Sequence, residues 1–103
     1  MDIAKTASQP VSPEHKARVL AVDDQRDALR LLQIRLQNAG MECFTCADGA
    51  SALQFLEKEP VDIVILDVMM PNMDGYEVCR RIKGHERTKD ISSVLNGAFR
   101  DAG

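Results

Sequence analysis

Two short apolar runs in this chain end on acidic residues, and that pairing limits its folding more than any other feature. The first, Arg18 to Asp24, reads RVLAVDD; the second, Val61 to Gly75, reads VDIVILDVMMPNMDG. Val61 to Leu66 is too short for a typical helix and rich in β-branched residues, so it reads as a buried, parallel strand. It stops at Asp67, and Pro71, Asn72 and Asp74-Gly75 then supply loop chemistry. Open α/β sheets place their ligands outside the carboxyl ends of such strands. A lone strand-end Asp needs no more explanation than a turn. A second strand ending on Asp23 and Asp24 asks for one, because parallel neighbours bring all three carboxylates to one edge.

Like charges about 4 Å apart repel by roughly 4 kcal/mol at an effective dielectric of about 20. Such a cluster persists when one group keeps its proton or a cation sits among them. Hard oxygen donors without His or Cys beside them suit Mg²⁺, which takes one or two carboxylates, keeps waters and favours phosphate oxygens. The paired strand ends therefore suggest metal-assisted phosphoryl chemistry with an Asp nucleophile.

Asp23-Asp24 after a first strand, Asp67 after a third, and the DVMMPNMDG loop together resemble a response-regulator receiver domain from about Arg18 to Leu95. The resemblance implies an α/β, flavodoxin-like parallel sheet in the order 2-1-3-4. It also implies that Asp67 accepts a phosphoryl group from the phosphohistidine of a sensor histidine kinase or a phosphotransfer protein. Asp23, Asp24 and Asp67 would hold Mg²⁺, joined by the backbone carbonyl of Met69.

At 103 residues the chain is of single-domain size, and 45% hydrophobic residues support a real core. No apolar stretch is long enough to span a bilayer, and residues 1–17 lack the apolar segment of a signal peptide. The expectation is a cytoplasmic protein with a flexible leader over 1–17 and a partial receiver over 18–103. A net charge of −3 gives no support for direct nucleic-acid binding. Three cysteines argue against a disulfide framework. Cys43 and Cys46 fall in a predicted strand, where a separation of three puts them on opposite faces, and no second ligand pair completes a zinc site. Cys79 reads as a core thiol, and His15 and His85 read as solvated.

In chain order, Gln25 to Ala39 is expected as an amphipathic helix with Leu29, Leu32, Leu36 and Ala39 inward and Ala28 and Leu31 widening the stripe. Asp24 or Gln25 is placed to cap it, and Gly40 to end it in a left-handed turn. Met41 to Ala47 is a second strand, Ala50 to Lys58 a second helix, Tyr76 to Lys83 a third with Asp74 as N-cap, and Ile91 to Leu95 a fourth strand. Strands alternating with helices through short loops indicate parallel βαβ units. Met70 is expected to plug the core, with Met69 at the site rim.

The chain departs from the family pattern near its end. A receiver continues through a fourth helix, a fifth strand and a fifth helix, so those elements are expected to be missing. The family's strand-end hydroxyl would fall near Asn96 or Gly97, neither of which has one, and Ser92 and Ser93 come too early. The phosphoryl-pairing Lys has no counterpart after Lys89. An alternative therefore stands beside the phosphoacceptor: a non-catalytic module that docks kinase or receiver partners, or pairs as a homodimer through an open sheet edge. Ala98-Phe99 could fold back over part of that gap. A hydrolase with an Asp nucleophile fits less well, because its second carboxylate would stand where Met69 does.

Overall fold

The computed structural model describes residues 16–96. Within them β1 (Arg18–Val22), β2 (Glu42–Cys46), β3 (Ile63–Asp67) and β4 (Ser92–Asn96) alternate with α1 (Arg26–Asn38), α2 (Gly49–Lys58) and α3 (Gly75–Lys83). The strands are all parallel and lie in the order β2-β1-β3-β4, as the resemblance implies. The central pair, β1 and β3, is therefore flanked on both sides, which is why their sequences are near-continuous apolar runs. Residues 1–15 of the leader expected over 1–17, and the Ala98-Phe99 segment, lie outside the described residues.

Alternation along the strands sorts side chains onto two faces. Leu20 and Val22 of β1 and Val64 and Leu66 of β3 join Ala52, Leu56, Val78 and Ile82 in one core beneath α2 and α3. Met70 plugs that core as expected. The opposite face is covered by α1, where Ala21, Cys43 and Leu29 form a smaller cluster with Leu32 and Leu36 against it. Ile63 and Ile65 share this second face and are only half-buried, while Val94 is exposed. Leu31, expected to widen the buried stripe, instead points outward with Ile34. Two residues on from Leu29, it sits about 200° around the helix. Cys43 and Cys46 pack into opposite clusters, and both are free thiols. Burial pushes both thiols above their usual range, with the Asp48 charge adding to the effect at Cys46.

Helix ends follow their local chemistry. Asp48 caps α2 by accepting from the Ser51 N–H at 2.7 Å, and Asp74 caps α3 by accepting from the Glu77 N–H at 2.9 Å. Gly40 takes φ 88° just past α1, the conformation expected of it. Boundaries differ from expectation by a residue or two, and those of β3 bear on the site. Val61 is buried but precedes β3, whose entry is set by Asp62: its carboxylate accepts the Arg18 N–H at 2.7 Å, and its own N–H reaches the Arg18 carbonyl at 2.8 Å. At the other end, Asp67 is itself the last residue of β3.

The amino edge of the sheet is tied together by Arg18. Its guanidinium donates to the Pro60 carbonyl at 2.8 Å and to Glu59 at 3.1 Å, with Glu42 at 3.5 Å. It also lies 4.7 Å from the centre of the Phe44 ring. One side chain thus links β1, β2 and the segment entering β3.

Candidate functional site

Asp23, Asp24 and Asp67 meet at the carboxyl edge of the sheet, each offering an oxygen within 4.8 Å of the others. The topology brings them together. β1 and β3 are hydrogen-bonded neighbours, with Val22 opposite Leu66, so the residues that follow project from adjacent positions. Asp67 is 2% exposed and Asp23 6% exposed, whereas Asp24 is open to solvent. Two buried carboxylates so close together are costly without a compensating charge.

Backbone N–H groups hold the two buried acids. Asp23 accepts from the Gln25 N–H at 2.9 Å, and Asp67 accepts from the Met69 N–H at 3.3 Å. Of the two residues expected to cap α1, Gln25 rather than Asp24 holds the position. It does so without a side-chain bond, and Asp23 satisfies its N–H instead. Asp24 is thereby left facing outward at the mouth of the cluster.

Burial raises the Asp23 carboxyl above the ordinary 3.8. The Gln25 N–H opposes that rise, and the Asp67 charge, a hydrogen bond with the Asp67 side chain and the Asp24 charge reinforce it. Asp23 is the group in which the crowding of the site registers most plainly.

The loop after β3 is shaped by two residues. Asn72 adopts φ 67°, a left-handed conformation that Asn tolerates better than most residues. Gly75 opens α3 directly against the end of β3. A Cβ there would lie 2.5 Å from the Asp67 carbonyl oxygen and 3.1 Å from the Val68 Cα. Glycine is therefore required for α3 to start so close to the acid. Met69 projects outward at 52% exposure, at the rim as expected. The Asp74-Gly75 pair was visible in sequence as a helix start, but its close approach to Asp67 was not.

β4 completes the other side of Asp67. In the ladder Asp67 stands opposite Asn96, and the Val68 N–H donates to the Asn96 carbonyl at 3.1 Å. Ser92 pairs with Ile63 at the far end of the strand, and the Ser93 hydroxyl is buried without a hydrogen-bond partner. Neither serine reaches the acid edge.

A family model described as the response regulator receiver domain matches residues 19–99. The chain belongs to the response regulator receiver domain family. Among curated relatives, the response regulator PleD of Caulobacter vibrioides is 44% identical over 79 residues, covering 77% of this chain and 17% of PleD. The sensor histidine kinase RcsC of Escherichia coli is 42% identical over 94 residues, covering 91% of this chain and 10% of RcsC. Among solved structures, the chemotaxis protein CheY4 of Vibrio cholerae superposes with TM-score 0.76 at 36% identity, covering 79% of this chain and 68% of that one. This receiver thus spans a small fraction of those two curated relatives. It is a receiver of two-component signalling, and no helix among its described residues is long and apolar enough to cross a membrane.

Receiver domains generally bind Mg²⁺ at such an acidic cluster, and the residues here fit one. An octahedral ion with oxygens at about 2.1 Å separates opposite ligands by about 4.2 Å. Only one pair of three ligands can be opposite, and neighbouring ligands stand about 3 Å apart, so the acids would draw closer together or one would bind through water. The donor set is entirely hard oxygen, which suits Mg²⁺ rather than a thiolate- or imidazole-seeking metal.

Proposed function

We propose that this receiver is a phosphoacceptor in which Asp67 takes a phosphoryl group from the phosphohistidine of a histidine kinase or phosphotransfer protein. The observation that carries this is the gathering of Asp23, Asp24 and Asp67 at one strand edge, with oxygens within 4.8 Å. A carboxylate oxygen of Asp67 attacks phosphorus in line with the P–N bond. That bond breaks as the O–P bond forms, and its electron pair returns to the ring nitrogen. The donor leaves as neutral imidazole if its other nitrogen carries a proton. The product is an acyl phosphate on Asp67, open to later hydrolysis by water.

Asp23, Asp24, Asp67 and the Met69 carbonyl are the ligands proposed for Mg²⁺. When bound, the ion supplies neutralisation of the negative charge on the acids and the transferring group. The chain's own residues do the positioning: the Met69 N–H orients Asp67, the Gln25 N–H orients Asp23, and Gly75 lets α3 approach without displacing the acid. The same reading assigns residues 18–103 to the receiver and 1–17 to a leader, and places the chain in the cytoplasm with its kinase.

A second reading, a docking module that relays no phosphate, draws on the absence of a hydroxyl at Asn96 and Gly97, near where the family has one, and on exposed Leu31, Ile34 and Val94. Homodimerisation through the β4 edge belongs to this reading. Incubation with Mg²⁺ and acetyl phosphate or a phosphorylated donor, read by intact mass, separates the two. The phosphoacceptor acquires one hydroxylamine-sensitive phosphoryl group, and Asp67→Asn abolishes it. A wild-type chain that stays unmodified while binding its kinase would establish the docking reading instead.

A further inference from the structure

A cavity of about 200 Å³ lies between α2 and the segment joining α3 to β4, toward the helix ends that point away from Asp67. On its α2 wall, Leu53, Leu56 and Glu57 share one helix face at i, i+3 and i+4. Leu56 is buried and Leu53 half-buried, so the floor is apolar. The facing wall carries Arg81 near the end of α3, then His85 and Arg87 from the connector.

The connector wall is held in shape by its own bonds. The Thr88 hydroxyl donates to the Ile82 carbonyl at 2.7 Å, and the Thr88 and Lys89 N–H groups donate to the His85 carbonyl at 3.0 and 2.9 Å. His85 Nδ1 accepts from the Arg87 N–H at 3.3 Å, so the neutral ring carries its proton on Nε2, where it is a donor. The charges around the cavity divide into answered and unanswered ones. Arg81 donates from Nε to Glu77 at 2.7 Å, and Lys89 pairs with Glu86 at 3.1 Å. Glu57 and Arg87 line opposite walls, yet neither makes an ion pair with a described residue. An apolar floor between an acid and a guanidinium matches a ligand with an apolar body and a zwitterionic head. The volume falls below the about 300–1,000 Å³ of drug-sized pockets, which suits a small metabolite.

We propose that this cavity binds a free apolar α-amino acid of about the size of leucine. The carboxylate sits on the Arg87 guanidinium with His85 Nε2–H as a second donor, and the ammonium sits on Glu57. The side chain lies over Leu53 and Leu56. Arginine holds a carboxylate through two parallel N–H bonds, which fixes the orientation of the head. The ligand thereby joins two charges that the chain leaves apart, and ties α2 to the connector. The site is separate from the acid edge and does not rest on the phosphoacceptor reading.

The test follows amide chemical shifts of the full chain during titration with leucine into the millimolar range. Glycine, 4-methylpentanoate (no ammonium) and 3-methylbutylamine (no carboxylate) are titrated in parallel. Saturable shifts at Leu53, Glu57 and Arg87 are expected with leucine. Each single-charge analogue should bind about tenfold more weakly, the loss typical of one charged hydrogen-bonding partner. Glycine should also bind at least about tenfold more weakly, because it lacks the apolar body. Arg87→Ala and Glu57→Gln, both at exposed positions, are compared after circular dichroism confirms that each is folded. Arg87→Ala should weaken leucine about tenfold while leaving 3-methylbutylamine unchanged, and Glu57→Gln should weaken leucine while leaving 4-methylpentanoate unchanged. A wild-type chain without saturable shifts at these residues overturns the proposal. So does binding of 4-methylpentanoate or glycine as tight as that of leucine, or an Arg87→Ala chain that binds leucine like the wild type. Each of these outcomes leaves phosphoryl transfer to Asp67 untouched.

Discussion

The two ends of this sheet handle charge in opposite ways. At the amino edge Arg18 is matched by Glu59 and Glu42, bonded to the Pro60 carbonyl and stacked near Phe44, so its charge is answered within the chain. At the carboxyl edge Asp23, Asp24 and Asp67 crowd together, with oxygens within 4.8 Å of one another, an arrangement of like charges that suits a cation. One end uses polar groups to hold strands together; the other gathers three acids of like charge. Stability and function are thus separated along the strand direction by the length of five-residue strands.

The sharpest way to break this separation is to disturb the carboxyl edge through packing instead of charge. Gly75→Ala forces a Cβ into the Asp67 carbonyl, a backbone atom that cannot swing aside. Overpacking of this kind costs about 2–3 kcal/mol. Urea denaturation should show that loss, and Mg²⁺ binding should weaken with it because Asp67 moves.

Arg18→Ala probes the other end. Exposed ion pairs contribute roughly 0.2–1 kcal/mol each, and a ring contact adds a similar amount. The variant is expected to lose about 1–2 kcal/mol in the same assay while its Mg²⁺ affinity stays within about twofold. A large change in metal affinity would show that the ends are coupled.

The smallest expected effect has the opposite sign. Asp23→Asn keeps an oxygen for the Gln25 N–H but removes one charge from the crowd. In chelator at neutral pH it should stabilise the chain slightly, by up to about 1 kcal/mol. The folded-state carboxyl of Asp23 is raised above 3.8, so its contribution to stability is fully present below that value. It is lost as pH rises through the raised folded value, and the non-titrating Asn flattens that stretch. Added Mg²⁺ should then stabilise the wild type more than the variant, reversing their order.

Much of this was legible in the sequence because the relevant signals are local. Apolar runs ending on Asp67 and on Asp23-Asp24 placed the acid edge, and Asp74 and Gly40 announced helix ends by side-chain and backbone chemistry. What escaped depended on three-dimensional neighbours. The two adjacent acids look alike in sequence, yet only the fold buries Asp23 against the Gln25 N–H and leaves Asp24 outside. Val61 is apolar and buried without belonging to β3, because burial and strand bonding are separate requirements. Leu31 looked like core because a helix rich in leucine does not say which of them faces the sheet. Asn96, with Gly97, was noticed for the hydroxyl it lacks, and only the ladder shows that it stands opposite Asp67.

The backbone tethers on the buried acids carry a further consequence, for the choice between ions. Asp23 and Asp67 each have one oxygen already engaged by an N–H two residues on. Clasping a metal with both oxygens of either carboxylate would make one oxygen share its lone pairs between the ion and that N–H. Calcium commonly draws on that two-toothed grip and on six to eight ligands, whereas magnesium is content with single oxygens and retained waters. The two short turns after β1 and β3 thus favour ligation through single oxygens, the mode that magnesium accepts more readily than calcium.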